Sequence, residues 1–293
     1  MEFSTCNICG CDKYQEICDI AISPTLAQSK LVKCRKCGFY YANPRLERAL
    51  EEEHYKNRYH ENEPITYWHK QRASFFKRAL KEITKFRSSG DLLDIGCGTG
   101  YFMDLARSKR WSVKGIDLSD EAIKYAKENF SLDVTKGDFL DINFEKESFD
   151  VVTMWNVLDQ VNDPKTVLES VNNILKKGGY IFMRLSNLNF HLMLRKFTGK
   201  QTQKNPGLTP YVFHLYSFNK KSIRRLLDIT GFLEIMVKAD LLEEGNIQLV
   251  RIFGKNIALV ISVIANLITM AIYFLSFGRI IISSSIVVIA CKS

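Results

Sequence analysis

The sequence predicts an α/β protein built on a doubly wound parallel sheet, and three observations carry that prediction. From residue 91 to 185, apolar runs of strand length alternate with amphipathic stretches of helix length, the pattern of a parallel sheet covered on both faces. A glycine-rich turn, Gly96-Cys97-Gly98-Thr99-Gly100, follows the first run directly. A carboxylate, Asp117, closes the second. At 293 residues the chain has length for one sizeable core with additions.

Taken in order, residues 1–45 are cysteine-rich and short on periodicity, and 46–88 read as a charged helical lead-in. Strands are expected at 91–95, 112–117, 132–136, 148–155 and 179–185, with helices near 100–109, 119–129 and 164–175. A loop-rich basic stretch covers 186–216, then a helix (217–230) and a strand (232–238). Residues 241–282 are strongly apolar, and 284–291 read as a last strand. The expected units are therefore 1–45, 46–88 and a main domain over 89–293. No basic stretch followed by an apolar one opens the chain, so a reducing cytoplasm is expected, with paired cysteines as metal ligands.

Glycines at 96, 98 and 100 let the backbone turn sharply and approach a ligand closely. The helix beyond presents unpaired N–H groups to an anion. Asp117 stands where a carboxylate accepts hydrogen bonds from the two hydroxyls of a ribose. A nicotinamide dinucleotide site wants Gly-x-Gly-x-x-Gly, whereas this loop is Gly-x-Gly-x-Gly preceded by Asp94.

At this point the chain resembles the class I S-adenosylmethionine (SAM)-dependent methyltransferases, whose first motif is nearly the text of Leu92 to Gly100. The resemblance continues through Gly137-Asp138-Phe139, through Ser148 to Pro164, through Leu175-Lys176-Lys177-Gly178-Gly179-Tyr180, and through Leu226-Leu227 to Gly231-Phe232. It implies a Rossmann-like seven-stranded sheet with the last strand antiparallel. It also implies cofactor contacts at Asp94, Gly96, Cys97, Gly98, Gly100, Asp117, Leu118, Asp138, Phe139, Trp155 and Asn156. Many relatives carry Glu-His where this chain has Asp159-Gln160, and often His in place of Asn156, so a base borrowed from those histidines does not carry over.

Cys6-x-x-Cys9 and Cys34-x-x-Cys37, each followed by glycine, have the spacing of a closed structural zinc site. Cys11 is an alternative to Cys9, and Cys18 reads as a strand residue. The segment Cys34 to Pro44 is similar to the zinc-ribbon leader of a group of bacterial methyltransferases, which implies sugar, polysaccharide or secondary-metabolite acceptors.

The net charge of +9 points to an anionic partner. No acid lies between Glu169 and Asp228, so 186–216 is expected to form a basic lid over an anionic acceptor. A solvated face is the bland alternative. Residues 256–278 carry no charge. They are expected as a helical insertion returning to one sheet edge: a membrane-associated interfacial helix, a buried helix or a homodimer contact, rather than a span. For general base the candidates are His214, His191 and Asp159. The leading expectation is methylation of a small-molecule, sugar or lipid-linked glycan acceptor by a protein peripheral to the inner membrane face. An RNA methyltransferase with a zinc ribbon and a non-catalytic SAM- and zinc-binding scaffold are the alternatives.

Overall fold

The computed structural model describes residues 2–20, 29–45, 65–202, 214–241 and 255–293. The glycine-loop strand β4 (Gly90–Ile95) lies mid-sheet, between β5 (Trp111–Asp117) and β7 (Phe149–Trp155). β6 (Val134–Lys136) extends one side; β8 (Leu175–Ser186), β11 (Ser285–Lys292) and β10 (Phe232–Ala239) extend the other. Strands β6, β5, β4, β7 and β8 pair in parallel, and β11 is antiparallel to both β8 and β10. The fold is mixed α/β with a partly parallel sheet.

Alternation along the central strands explains why both faces are covered. Leu92 and Val151 point to one apolar cluster, Leu93 and Val152 to the other, as the period of two requires. All seven residues of β7 are buried. On one face lies α1 (Ile65–Phe86), whose Phe75, Phe76, Ala79, Leu80 and Ile83 make an inward stripe. It is joined there by α2 (Tyr101–Arg107) through Phe102 and Ala106. On the edge near β5 and β6 runs α3 (Asp120–Phe130), capped by Ser119. The opposite face holds α4 (Pro164–Ile174), which starts with proline in its first turn behind an Asp163 cap.

The basic stretch predicted as loop is helical in its first half, α5 (Leu188–Thr202). Leu188, His191 and Leu192 recur at helical spacing and turn inward, a stripe about one turn long that ends before the basic pair Arg195 and Lys196. Residues 203–213 of the expected lid lie outside the described residues, as do 21–28, 46–64 and 242–254 of the other expected segments. The next helix, α6 (Lys220–Ile229), starts three residues later than predicted because Asn219 and Ser222 close a capping box there. The residues ahead of it form β9 (Tyr216–Ser217).

The N-terminal residues form β1 (Tyr14–Ile20), β2 (Ser29–Cys34) and β3 (Tyr40–Asn43), an antiparallel sheet completed by β9. One strand of this small sheet is thus supplied by the main domain. Phe39 stacks on Tyr216 with centroids 5.7 Å apart, and the two parts share one apolar cluster.

The apolar insertion forms α7 (Lys255–Leu275). No helix among the described residues is long and apolar enough to cross a membrane, and this corrects the expectation of a membrane-associated protein. Thr269 Oγ1 donates to the Ile282 carbonyl at 2.8 Å, and the chain returns to the sheet as β11.

Candidate functional site

At the carboxyl ends of the parallel strands lies a cavity of about 490 Å³, the place where open α/β sheets take ligands. Its floor is the turn between β4 and α2: Ile95, Gly96, Cys97, Gly98, Thr99 and Tyr101. The turn needs left-handed backbone, with φ of 70° at Gly96 and 75° at Gly100. A side chain at 96 would also run into Val157 Cγ2, 2.4 Å from where its Cβ would stand. Asp117 braces the turn from the end of β5: Oδ2 accepts from Gly98 N at 2.7 Å, and Oδ1 from Ser119 N at 2.9 Å.

The ends of five strands supply much of the remaining wall. Leu118, Asp138 and Phe139 follow β5 and β6; Trp155 and Asn156 end β7; Arg184 and Ser186 end β8; Ser284 and Ser285 begin β11. Asp138 caps the one-turn helix Phe139–Asp141, its Oδ1 accepting from Leu140 N at 3.0 Å. Asn156 sits at φ 60°, and its side-chain oxygen accepts from Arg184 Nη1 at 2.8 Å. His191 and His214 also line this wall.

Two of the predicted cofactor residues do not line it. Asp94 is buried beneath the turn, with Thr153 Oγ1 donating to Oδ1 at 2.6 Å and no partner for Oδ2 among the described residues. Burial, with the Asp117 charge adding, pushes Asp94 up to about 8 against the Thr153 hydrogen bond. Gly100 is the N-terminal cap of α2, facing Ala126 and Leu132. Cys97 lines the cavity, but burial beside Asp117 and Asp94 pushes its thiol well up, away from reactive thiolate.

The three candidate bases differ in setting. His191 is buried, with Nε2 3.0 Å from the Ser284 carbonyl, and burial pushes it down to about 4. Asp159 is fully buried behind the wall, its Oδ2 accepting from Ser186 N at 3.2 Å and its Oδ1 without a partner among the described residues. His214 lies between the cavity and that carboxylate, with Nε2 3.8 Å from Asp159 Oδ2.

Sequence reading missed His69, which lines the cavity from α1 together with Arg72 and Phe76. His69 stacks on Tyr101 with centroids 4.7 Å apart, and its Nε2 is 2.7 Å from Thr99 Oγ1. The one available signal was spacing: residues 69, 72 and 76 share a helix face.

The four cysteines form a second centre. The Sγ atoms of Cys6, Cys9, Cys34 and Cys37 all lie within 4.8 Å of one another, with Cys6–Cys37 at 3.4 Å and Cys9–Cys34 at 3.6 Å. Four thiolates around one zinc ion need sulfur separations of about 3.8 Å, so the cluster fits that group. Cys11 turns away toward the Lys13 carbonyl, and Cys18 belongs to β1. The module grips the cavity wall. Arg45 Nη1 donates to Asn162 O at 3.1 Å and to Tyr216 Oη at 3.0 Å, and Tyr216 Oη donates to Asn162 O at 2.8 Å. Tyr216 N donates to Asp159 O at 3.1 Å.

A profile described as "Methyltransferase domain" matches residues 67–234. A ubiquinone biosynthesis O-methyltransferase of Nitrosomonas europaea is 34% identical over 116 residues, 38% of this chain and 49% of the relative. The match thus spans about half of that relative's length. Among solved structures, a SAM-dependent methyltransferase of Thermotoga maritima superposes with a TM-score of 0.52 at 19% identity, over 83% of this chain and 99% of that one. One from Listeria monocytogenes gives 0.53 at 17% identity, over 76% and 99%. At such identities the likeness is one of fold.

Proposed function

The chain belongs to the methyltransferase domain family, and on that premise we propose that it methylates a hydroxyl of a small-molecule acceptor with His214 as base. The observation that carries this reading is the buried Asp159 carboxylate facing His214 at the wall of the cavity that also contains the glycine turn.

A sulfonium-bound methyl group is already activated for displacement, and this is the chemistry SAM supplies. The residues of this chain hold, orient and deprotonate. Gly96, Cys97 and Gly98 cradle the donor by backbone approach, with Leu118 beside them. Asp117 accepts from the ribose hydroxyls, Asp138 and Phe139 take the adenine, and Trp155 and Asn156 close over the reacting end. Asp94 and Gly100 act from behind, shaping the turn. On the acceptor side, His214 takes the hydroxyl proton at Nδ1 while Nε2 faces Asp159, which steadies the ring and the imidazolium that forms. Arg72 lines that side with a guanidinium, which an anionic acceptor matches. Sugar and lipid-linked glycan hydroxyls are the acceptors we favour, and the name of the O-methyltransferase relative supports oxygen as the accepting atom. Cys6, Cys9, Cys34 and Cys37 hold a structural zinc ion with no open position.

Methyl transfer from tritiated SAM to sugar-nucleotide and lipid-glycan fractions tests this. We expect His214→Ala to lower kcat by about 10²- to 10⁴-fold, with donor affinity unchanged. Asp159→Asn should also lower kcat, with donor affinity unchanged. A His214→Ala protein with wild-type kcat would remove the base assignment.

A further inference from the structure

We propose that the acceptor carries a flexible apolar chain and that this chain lies in a second cavity between α1, α7 and the sheet. The proposal rests on the reading of the first cavity as the methyl-transfer site. The second cavity has a volume of about 290 Å³ and is walled by Ala79, Trp155, Phe182, Met270, Phe274 and Val287 among others. Its surface is mostly apolar. The charges in its lining face opposite charges: Lys238 Nζ lies 2.9 Å from Glu82 Oε1, and Asp240 stands 3.9 Å from Arg78 Nη2 while also accepting from Arg184 Nε at 2.7 Å. Such a lining rewards methylene groups and offers little to a second charged group.

The wall shared with the first cavity selects the occupant. Trp155 lines both cavities. Arg184, on the wall of the first, is bonded to Asp240, on the wall of the second. The two walls thus share one indole and are joined by one ion pair. The Trp155 indole N–H is buried and has no hydrogen-bond partner among the described residues. A buried donor left unpaired is costly and uncommon. Trp155, common to both walls, is where the polar head of an amphipathic ligand gives way to its tail. The far end opens outward: Met270 and Phe274 are 41% and 66% exposed, so a chain longer than the cavity continues along α7. A second copy docked on α7 would cover Phe274 but would leave the inner cavity and the indole N–H unmatched.

The test uses the full chain saturated with S-adenosylhomocysteine, titrated calorimetrically with farnesol and dodecanol as isoprenoid and straight-chain probes and butanol as the short control. We expect at least one long probe to bind saturably and about a hundredfold tighter than butanol. Ala79→Phe fills the cavity and Phe274→Lys charges its exposed mouth. Each should weaken the long probe by about tenfold or more and leave S-adenosylhomocysteine affinity unchanged. Phe274 is exposed, so that variant remains informative if Ala79→Phe does not fold. Affinity independent of chain length, or both folded variants binding as wild type does, overturns the proposal while cofactor binding stands. Wild-type protein that fails to bind S-adenosylhomocysteine overturns both readings.

Discussion

Two additions to the methyltransferase domain border its open edge, and they are attached by opposite means. The N-terminal cysteine module is held by directional polar bonds in addition to the apolar cluster it shares with the domain. Asn7 Nδ2 donates to Asp163 Oδ1 at 2.8 Å, Lys165 N donates to Asn7 Oδ1 at 3.1 Å, and Arg45 and Tyr216 converge on the Asn162 carbonyl. A shared strand pairing, Tyr41 with Tyr216, fixes the register. By contrast, α7 meets the body through apolar side chains and a hydrogen bond from Thr269, while Leu267, Phe274 and Leu275 stay more than half exposed. Directional bonds specify one position and transmit it to neighbours. His214, in the cavity wall, is two residues from the Tyr216 that the module holds, and Asp159, behind the wall, accepts from Tyr216 N through its backbone carbonyl. Apolar contact is tolerant, which suits a wall that must admit chains of varied shape.

The largest break in this comparison comes from the metal. Zinc analysis should find one ion per chain, and Cys34→Ser should abolish it. Binding of structural zinc contributes about 10–16 kcal/mol of apparent free energy in small zinc domains, so the small sheet should unfold in the variant. Methyl transfer should fall sharply while S-adenosylhomocysteine still binds. A Cys34→Ser protein with wild-type zinc content would refute the ligand set.

A gentler cut separates docking from metal. Tyr216→Phe removes the donor to Asn162 O and the acceptor of Arg45 Nη1. Chemical denaturation should show a loss of about 1–3 kcal/mol, with zinc retained; an unchanged midpoint would mean that these bonds do not hold the module.

Next comes a pH effect at the α5 side of the wall. Burial holds His191 below its ordinary range, at about 4. The unfolded chain therefore binds this proton more readily than the folded one between about 6.5 and 4. The histidine's stability contribution is fully present above about 6.5, declines as pH falls through that window, and levels off below it. His191→Gln should flatten the melting temperature over that range, and an unaltered slope would argue against a buried neutral ring.

The smallest effect is expected on the other addition. Leu267→Gln, on the exposed face of α7, should change stability by less than about 0.5 kcal/mol. A larger loss would show that this face is covered in solution and that the two attachments differ less than described.

What was legible in the sequence was local. The alternation of strands and helices, the glycine turn with its acid, and the two Cys-x-x-Cys pairs each sit within a short stretch whose spacing dictates its geometry. The features that escaped are tertiary. β9 is two residues long and exists because β3 pairs with it, so no periodicity announces it. The inward stripe of α5 is about one turn long, too short to show a period, and His69 acquires a place in the wall only when α1 packs beside Tyr101. Asp94 and Gly100 belong to the turn by sequence, yet the fold puts both behind it, one under Thr153 and one against Leu132. Membrane association was inferred from charge-free length, a property that a helix packed beside a cavity shares.

The central claim is that the glycine turn and Asp117 hold the methyl donor, and calorimetric titration with S-adenosylhomocysteine tests it most directly. Wild type should bind at one site per chain. Asp117→Ala, losing charge-assisted bonds to the ribose, should bind about a hundredfold more weakly while melting as a folded protein. Undiminished affinity in the folded variant would contradict the account.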